Sequence, residues 1–120
     1  MSEMQLGVIE SRFADIIWQN EPIASSELVR LSEEVLKWKK STTFTVLRRL
    51  CEKGIFKNDK SMVTSLISKE EFYSLQSKKF VEENFEGSLP AFLAAFTSKK
   101  SLSEEEVEYL RRMVAEYEEE

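Results

Sequence analysis

The sequence of 120 residues predicts a mainly α-helical fold with one small β-hairpin. Apolar residues recur at spacings of three and four along most of the chain, which is the period of an amphipathic helix. Only the stretch between residues 55 and 65 departs from this period, with two short β-prone runs around a turn-forming cluster. Apolar residues make up 42% of the chain and charged residues 32%, so a packed core of ordinary composition is expected.

Two helices are predicted in the first 36 residues. The first covers residues 7–20, and Pro22 disfavours helical geometry in the residue before it. The second runs through Leu36, with Ser25 and Ser26 as candidate N-caps. The apolar stripes are Leu6, Ile9, Phe13, Ile16 and Ile17 in the first helix and Leu28, Leu31 and Val35 in the second.

A third helix is predicted to begin with Ser41 or Thr42 as its N-cap and to end at Gly54, which supplies a left-handed stop. Its expected inward residues are Thr43, Val46, Leu47 and Leu50, and its outward residues are Phe44, Thr45, Arg48, Cys51 and Glu52, with Arg49 at the edge. Two short strands, residues 55–57 and 62–65, then flank a turn at residues 58–61. Three short helices followed by a hairpin describe a winged helix-turn-helix.

Three more helices are predicted after the hairpin. Ser68 and Ser103 each stand three residues before a glutamate, which is the pattern of a capping box. The helices that they open should run to about residue 84 and residue 117, and residues 118–120 should fray. Between these helices, Ser88 caps a brief apolar helix with Pro90 in its first turn, where the missing N–H costs nothing.

The change in pattern at residue 68 divides the chain into a winged-helix domain, residues 1–68, and a helical domain, residues 69–120. A domain of about fifty residues rarely stabilises itself without a disulfide, a metal or a partner. This one is nevertheless rich in large apolar residues, so we expect it to form a symmetric homodimer. The candidate dimerisation residues are Phe72, Phe80, Phe85, Leu89, Phe92, Leu93, Phe96, Leu110 and Val114.

Positive charge is concentrated in the third helix and the hairpin. The whole chain has a net charge of -5, but residues 37–60 hold eight basic and two acidic side chains. Such a basic region is expected where one face meets a polyanion such as double-stranded DNA. An ordinary solvated helix face is the alternative.

Ten residues are candidates for DNA contact: Lys39, Lys40, Ser41, Thr42, Phe44, Thr45, Arg48, Arg49, Lys57 and Lys60. Arg48 suits guanine or phosphate, and Thr45 suits a thymine methyl group or a base edge. The lysines suit phosphates, as do Ser41 and Thr42 if they do not only cap the helix. Arg49 is equally suited to a structural ion pair. Phe44 either packs on thymine methyl groups or marks a surface for another partner.

Catalytic, metal and cofactor sites are not expected. The chain has no histidine, one cysteine and three glycines, which leaves no histidine-based nucleophile pair, no zinc site and no glycine-rich phosphate loop. The single Cys51 is expected to be an apolar filler. No apolar run approaches the roughly 20 residues of a membrane span, and the first residues lack the pattern of a signal peptide, so a cytoplasmic protein is expected.

Five segments together resemble the BlaI/MecI penicillinase-repressor family over nearly the whole chain. They are LGVIESRFADIIW, IASSELV, WKKSTTFTVLRRLCEKGI, FEGSLPAFLAAF and SLSEEEVEYL. The most specific residues are Trp38, Thr42, Thr45, Leu47, Arg49, Leu50, Lys53 and Gly54, together with the Gly87-Ser88-Leu89 turn. The resemblance implies a homodimeric repressor that binds a palindromic operator, with a winged helix followed by a dimerisation domain and no cofactor.

The resemblance also implies a control mechanism. In antibiotic-responsive members a membrane-bound sensor protease triggers cleavage before a phenylalanine that aligns with Phe96, so the corresponding bond here is Ala95–Phe96. Those members often have asparagine where this chain has Ala95. Copper-responsive relatives carry paired cysteines near the C-terminus, whereas this chain ends in VAEYEEE, which argues against copper sensing.

A second hypothesis stays open beside the repressor. The predicted wing is shorter than is usual in the family, Phe44 stands where relatives often have a basic or polar residue, and the chain as a whole is acidic. These features also suit a winged-helix interaction module, an anti-repressor or a heterodimer partner, that has lost DNA binding.

Overall fold

The computed structural model describes residues 6–118, which form six α-helices and three short β-strands. In chain order these are α1 (Val8–Asn20), β1 (Ile23–Ala24), α2 (Ser25–Leu36), α3 (Lys40–Glu52), β2 (Phe56–Asp59), β3 (Met62–Ser65), α4 (Lys69–Phe85), α5 (Leu89–Thr97) and α6 (Glu104–Glu118). The predicted fold class is therefore confirmed. Fraying was expected over residues 118–120; residue 118 still belongs to α6, and residues 119 and 120 lie outside the described residues.

The chain divides into two compact units, residues 1–78 and 79–120, so the division falls within α4 rather than after residue 68. Among the described residues, the first unit buries a continuous apolar core to which α1, α2, α3, α4 and all three strands contribute. Its members are Phe13, Ala14, Ile17, Ile23, Leu28, Val46, Leu47, Leu50, Ile55, Phe56, Val63 and Phe72.

The three strands form an antiparallel sheet in the order β1-β3-β2. Asp59 lies opposite Met62, so only Lys60 and Ser61 remain in the turn of the hairpin. Both turn residues have positive φ angles, 52° and 65°, the geometry of a type I′ turn, which matches the twist of the flanking strands. The predicted turn over residues 58–61 is wrong in its length, because residues 58 and 59 pair with β3.

The serine and threonine caps predicted for α2 and α3 are also wrong. The N-cap of α2 is Ala24 and that of α3 is Lys39, and neither makes a side-chain capping hydrogen bond. The backbone is extended at both positions, so α2 begins at Ser25 itself and α3 begins at Lys40, one residue before Ser41. The predicted stripe of α2 is wrong at Val35, which is 49% exposed, whereas Ser32 is buried.

The capping signals predicted after the hairpin are confirmed. The hydroxyl oxygens of Ser68 and Ser88 each accept a hydrogen bond from the backbone N–H three residues ahead. Ser103 and Glu106 bond each other reciprocally, at 2.9 and 3.1 Å, as a capping box requires. Gly87 follows α4 with a φ of 81°, a left-handed conformation that favours glycine.

Phe72 belongs to the core of the first unit, which corrects its assignment to dimerisation. Its side chain is fully buried, and its ring centroid lies 5.6 Å from that of Trp18 in α1. The indole N–H of Trp18 donates to the carbonyl of Ile67 at 3.1 Å, and Lys69 forms an ion pair with Asp15 at 2.6 Å. These contacts hold the start of α4 against α1, so Phe72 is not available to a second chain.

The second unit contrasts with the first, because no side chain in residues 79–117 is buried. Four phenylalanines form a chain of ring contacts, with centroids 5.6–6.1 Å apart. These rings, Phe80, Phe85, Phe92 and Phe96, remain half-buried or exposed. Of the other predicted dimerisation residues, Leu89, Leu93 and Val114 are exposed and Leu110 is half-buried. An apolar groove of about 400 Å³ is lined by Leu102, Val107, Leu110, Arg111, Val114 and Ala115.

Candidate nucleic-acid interface

The third helix, α3, is fixed by its inward face and by its C-terminus. Its four predicted inward residues, Thr43, Val46, Leu47 and Leu50, are all buried, which confirms the predicted orientation. At the C-terminal end, Gly54 has a φ of 83°, and the N–H of Ile55 donates to the carbonyl of Leu50. This is the Schellman arrangement, which satisfies carbonyl groups at the helix end. Thr45 and Arg48 are therefore held on the exposed face.

The turn between α2 and α3 is anchored to α1. Lys37 has a positive φ of 61° and ends α2, and the N–H of Trp38 donates to the carbonyl of Ser32. The ring of Trp38 packs against Phe13 with their centroids 5.1 Å apart. Because Phe13 belongs to α1 and is fully buried in the core, this contact holds the turn between α2 and α3 against α1. Trp38 is partly buried and anchors this turn.

The N-terminus of α3 is exposed and polar. The residues Lys39, Lys40, Ser41 and Thr42 all lie exposed, and within the described chain neither the Ser41 nor the Thr42 hydroxyl forms a hydrogen bond. The first N–H groups of a helix have no intrahelical acceptor and carry the positive end of the helix dipole. Both hydroxyls and these N–H groups are thus placed to contact an anion such as a phosphate.

Six basic side chains on and around α3 form no ion pair with any residue between 6 and 118. They are Lys37, Lys39, Lys40, Arg48, Lys57 and Lys60, and all six are exposed. Elsewhere in the first unit, by contrast, Arg30 contacts both Glu27 and Glu34. The uncompensated charge is therefore concentrated on the side of the first unit formed by α3 and the hairpin.

Arg49 forms the structural ion pair that was one of its two expected roles. Its guanidinium lies 3.3 Å from the carboxylate of Glu10 in α1, and that carboxylate also accepts the N–H of Gly7 at 3.2 Å. Burial raises the pKa of Glu10, but the Gly7 N–H, the Arg49 hydrogen bond and the charge of Lys53 together lower it below its usual value. Arg49 thereby links the end of α3 to the start of α1.

A groove of about 350 Å³ lies between α3 and the hairpin strand β2. It is lined by Phe44, Leu47, Arg48, Cys51 and Asn58. Arg48 and Phe44 were expected at a DNA-contacting surface, but Asn58 was not, because the sequence assigned it to a turn. Its place in β2, opposite Val63, brings it beside α3. The pairing register of the hairpin could have identified this neighbour, but the sequence did not define that register.

Cys51 fits its expected role as an apolar filler. It is half-buried and packs against the core of the first unit. Burial raises the pKa of its thiol, and a hydrogen bond from the Asn58 backbone opposes this effect only in part. The thiol is therefore neutral at pH 7, and the wall of the groove that it forms is uncharged.

No group of three or more potential metal-binding side chains comes together anywhere in residues 6–118. None of the helices in this range has the length and apolar composition that a membrane crossing requires. The Ala95–Phe96 bond lies in the last turn of α5, with both side chains exposed.

Comparison with known proteins gives one consistent result. The chain is 24% identical to the methicillin resistance regulatory protein MecI of Staphylococcus aureus, over 92% of this chain and 93% of that protein. It is 24% identical to the penicillinase repressor of Bacillus licheniformis, over 94% of this chain and 91% of that protein. MecI of Mammaliicoccus sciuri is 23% identical over 92% of this chain and 93% of its own.

These relatives are named as regulators and repressors, not as enzymes. The family model described as "Penicillinase repressor" matches residues 6–116, which include all nine helices and strands except the last two residues of α6. On the extent of this match, the chain belongs to the penicillinase repressor family.

Proposed function

We propose that the protein is a homodimeric transcriptional repressor that binds a palindromic operator in double-stranded DNA through α3. The observation that carries the proposal is the set of six exposed basic side chains without ion pairs around α3. Keeping so much like charge together costs free energy unless a polyanion neutralises it. The names of the relatives, a penicillinase repressor among them, agree with this role.

Some of the proposed contacts position the protein on the DNA backbone, and others recognise the base sequence. The N-terminus of α3, with Ser41 and Thr42, contacts phosphates, as do the lysines of α3 and the hairpin. Thr45 and Arg48 point away from the core on the same face of α3 and read base edges in the major groove. Arg49 acts mainly by holding α3 to α1 through Glu10.

Dimerisation follows from the exposed apolar surface of the second unit. Leu89 is 56% exposed and Phe96 is 51% exposed, and neither can be buried by the described residues around it. Burying such side chains against a second copy stabilises the pair by roughly 25 cal/mol for each Å² of apolar surface removed from water. A two-fold dimer presents two copies of α3 to two half-sites about one DNA turn apart, which explains the palindrome.

A gel-shift titration at two salt concentrations tests the proposal, with DNA from upstream of the protein's own gene. Six to ten phosphate contacts should weaken binding by roughly 10³- to 10⁵-fold between about 50 and about 200 mM salt. Replacing Thr45 and Arg48 together by alanine should abolish site preference and leave dimerisation intact. Arg30→Ala is the matched control, because Arg30 already pairs with two glutamates of α2.

The same titration distinguishes the repressor from the second hypothesis, a winged-helix interaction module that has lost DNA binding. The apolar groove beside Phe44 could also accept an apolar side chain of a protein partner, as a winged-helix interaction module would require. Such a module should bind DNA without sequence preference and only weakly at both salt concentrations. That outcome would reject the repressor.

Proteolytic release is the remaining part of the proposed function. Cleavage of Ala95–Phe96 by a membrane-bound sensor protease would detach Phe96 and all of α6 from the rest of the chain. The dimer surface would lose its exposed α6 residues, and DNA affinity would fall because the two half-sites would bind independently. Mass spectrometry of the protein from β-lactam-treated cells should show a fragment that ends at Ala95. An intact chain in cells whose operator has been released would contradict this step.

A further inference from the structure

The groove between α3 and β2 combines an apolar wall with two polar groups. Phe44 packs partly against the core and keeps the remainder of its ring at the groove, where Leu47 and Cys51 extend the apolar surface. Arg48 and Asn58 line the same groove and are exposed. The Arg48 guanidinium has no ion pair within residues 6–118, so its five N–H donors are available to a ligand.

We propose that this groove seats the 5-methyl group of a thymine that lies beside a guanine bound by Arg48. Phe44 is then a specificity-determining residue of the repressor. The inference rests on the proposed function, and it specifies which base step the groove selects.

The chemistry of the major groove supports this assignment. The thymine methyl group is the apolar feature that base pairs present there, and apolar side chains are its usual contacts. Arginine binds the O6 and N7 atoms of guanine with two parallel hydrogen bonds. An apolar wall that directly adjoins a free guanidinium is therefore complementary to a thymine next to a guanine.

The other DNA groups fit this groove less well. A phosphate held against Phe44, Leu47 and Cys51 would lose hydration without gaining hydrogen bonds from that wall, which is costly for an anion. Phosphates have better partners at the N-terminus of α3 and at the lysines of the hairpin. A cytosine has only a hydrogen atom in place of the 5-methyl group of thymine, and it presents an amino group where thymine presents the O4 acceptor.

Replacement of thymine by deoxyuridine tests the proposal, because it removes only the methyl group. The bound sequence is first selected from a random duplex library with the full-length protein. Each thymine of that sequence is then replaced in turn, and affinity is measured by fluorescence anisotropy. We expect one position in each half-site, adjacent to a guanine, to lose about fourfold in affinity, the factor that corresponds to one buried methyl group. Replacement in both half-sites should lose roughly 15-fold.

Variants of the protein identify the side chain that senses the methyl group. In Phe44→Ala and in Phe44→Gln, the ratio of thymine to deoxyuridine affinity at that position should fall to about one. In Thr45→Ala the ratio should persist, because Thr45 is exposed on α3 but does not line the groove. Because both DNAs are compared with the same variant, any loss of folded protein cancels from the ratio.

Each failure has a distinct meaning. If a sequence is selected but no thymine replacement weakens binding, the proposed binding of a thymine methyl group in the groove is wrong, while the proposed repressor function still holds. A methyl effect that disappears in Thr45→Ala and remains in Phe44→Ala also overturns the proposed binding in the groove, because another residue then reads the methyl group. If the library yields no preferred sequence, the proposed function itself fails.

Discussion

The two compact units of this chain differ in whether one copy of the sequence can complete a core. In the first unit, twelve of the described apolar side chains are buried; eleven come from four helices and three strands, and Ile55 lies between α3 and β2. In the second unit, residues 79–117 include exposed leucines, valines and phenylalanines but bury no side chain.

The local sequence signals of the second unit are nevertheless clear. The second unit has well-formed caps at Ser88 and Ser103, and its helices begin where the sequence predicts. The difference teaches that capping and periodicity define helices but do not supply the burial that stabilises them. The first unit is suited to present a rigid helix to DNA, and the second to bind another copy.

The largest expected effect comes from placing charges on the exposed apolar surface of the second unit. Replacing Leu89 and Phe96 by glutamate would place four carboxylates in the proposed two-fold interface, and each unpaired buried charge costs several kcal/mol. We expect the dissociation constant of the dimer to rise by about 10⁴-fold or more. Sedimentation velocity over a range of concentrations measures this change.

Leu66→Glu is the matched control for this experiment. Leu66 is as exposed as Leu89 and Phe96 but belongs to the first unit, so its replacement should leave the dimer unchanged. A dimer that survives both glutamates in the second unit would show that a different surface pairs the chains.

The next largest effect is a loss of stability when a buried side chain of the first unit is truncated. Phe72→Ala should lower the free energy of unfolding by about 3–5 kcal/mol, because it leaves a cavity beside Trp18 in a closed core. Leu75→Ala, in the same helix but 45% exposed, should change it by less than about 1 kcal/mol. Urea denaturation followed by circular dichroism measures both. Equal losses in the two variants would mean that Phe72 does not belong to this core.

A smaller effect should stabilise the first unit. Ser61 has a φ of 65° in the hairpin turn, where glycine avoids a steric cost of about 1 kcal/mol. Ser61→Gly should therefore raise the free energy of unfolding by about that amount and leave the dimer dissociation constant unchanged. Ser26→Gly, in the first turn of α2, is the contrasting control and should destabilise by about 0.5 kcal/mol or less. Thermal melts of the three proteins would distinguish these outcomes.

The smallest effect concerns the ion pair between α1 and α3. The pKa of Glu10 lies below its usual value of 4.5 in the folded protein, so the carboxylate stabilises the fold above that pH. This stabilisation is lost as the pH falls through the lower folded-state pKa. Glu10→Gln should remove a contribution of about 0.2–1 kcal/mol at pH 7 and flatten stability below pH 4.5.

A double-mutant cycle with Arg49→Met isolates the pair itself. The two substitutions should be less than additive at pH 7 and should approach additivity as the pH falls below the lowered folded-state pKa of Glu10, where its carboxyl group is protonated. Full additivity at pH 7 as well would mean that the ion pair contributes nothing to stability.

Much of the fold could be predicted because its signals are local. The ends of α3 at Gly54 and of α4 at Gly87 depend on a left-handed residue, and glycine adopts that conformation without a steric cost. The inward face of α3 follows from apolar spacings of three and four between Thr43 and Leu50, which span about two helical turns.

The errors arose where contacts distant in sequence decide the structure. The turn of the hairpin is set by the pairing of β3 with both β1 and β2, so residues that resemble a turn became part of a strand. Phe72 was assigned to the dimer interface because it is a large apolar residue after the hairpin, but contacts with α1, distant in sequence, bury it in the first unit. Asn58 was missed at the candidate interface for the same reason, because only the strand register places it beside α3.

The central claim is that one copy of α3 recognises each half-site and that the second unit holds the two copies together in a dimer. Fluorescence anisotropy with a palindromic duplex and with a single half-site tests it most directly, using the wild-type protein and the Leu89→Glu, Phe96→Glu variant. The wild type should bind the palindrome about 10²- to 10⁴-fold more tightly than the half-site, and the variant should bind both with equal, weak affinity. A variant that remains monomeric and still prefers the palindrome as strongly as the wild type would contradict the claim.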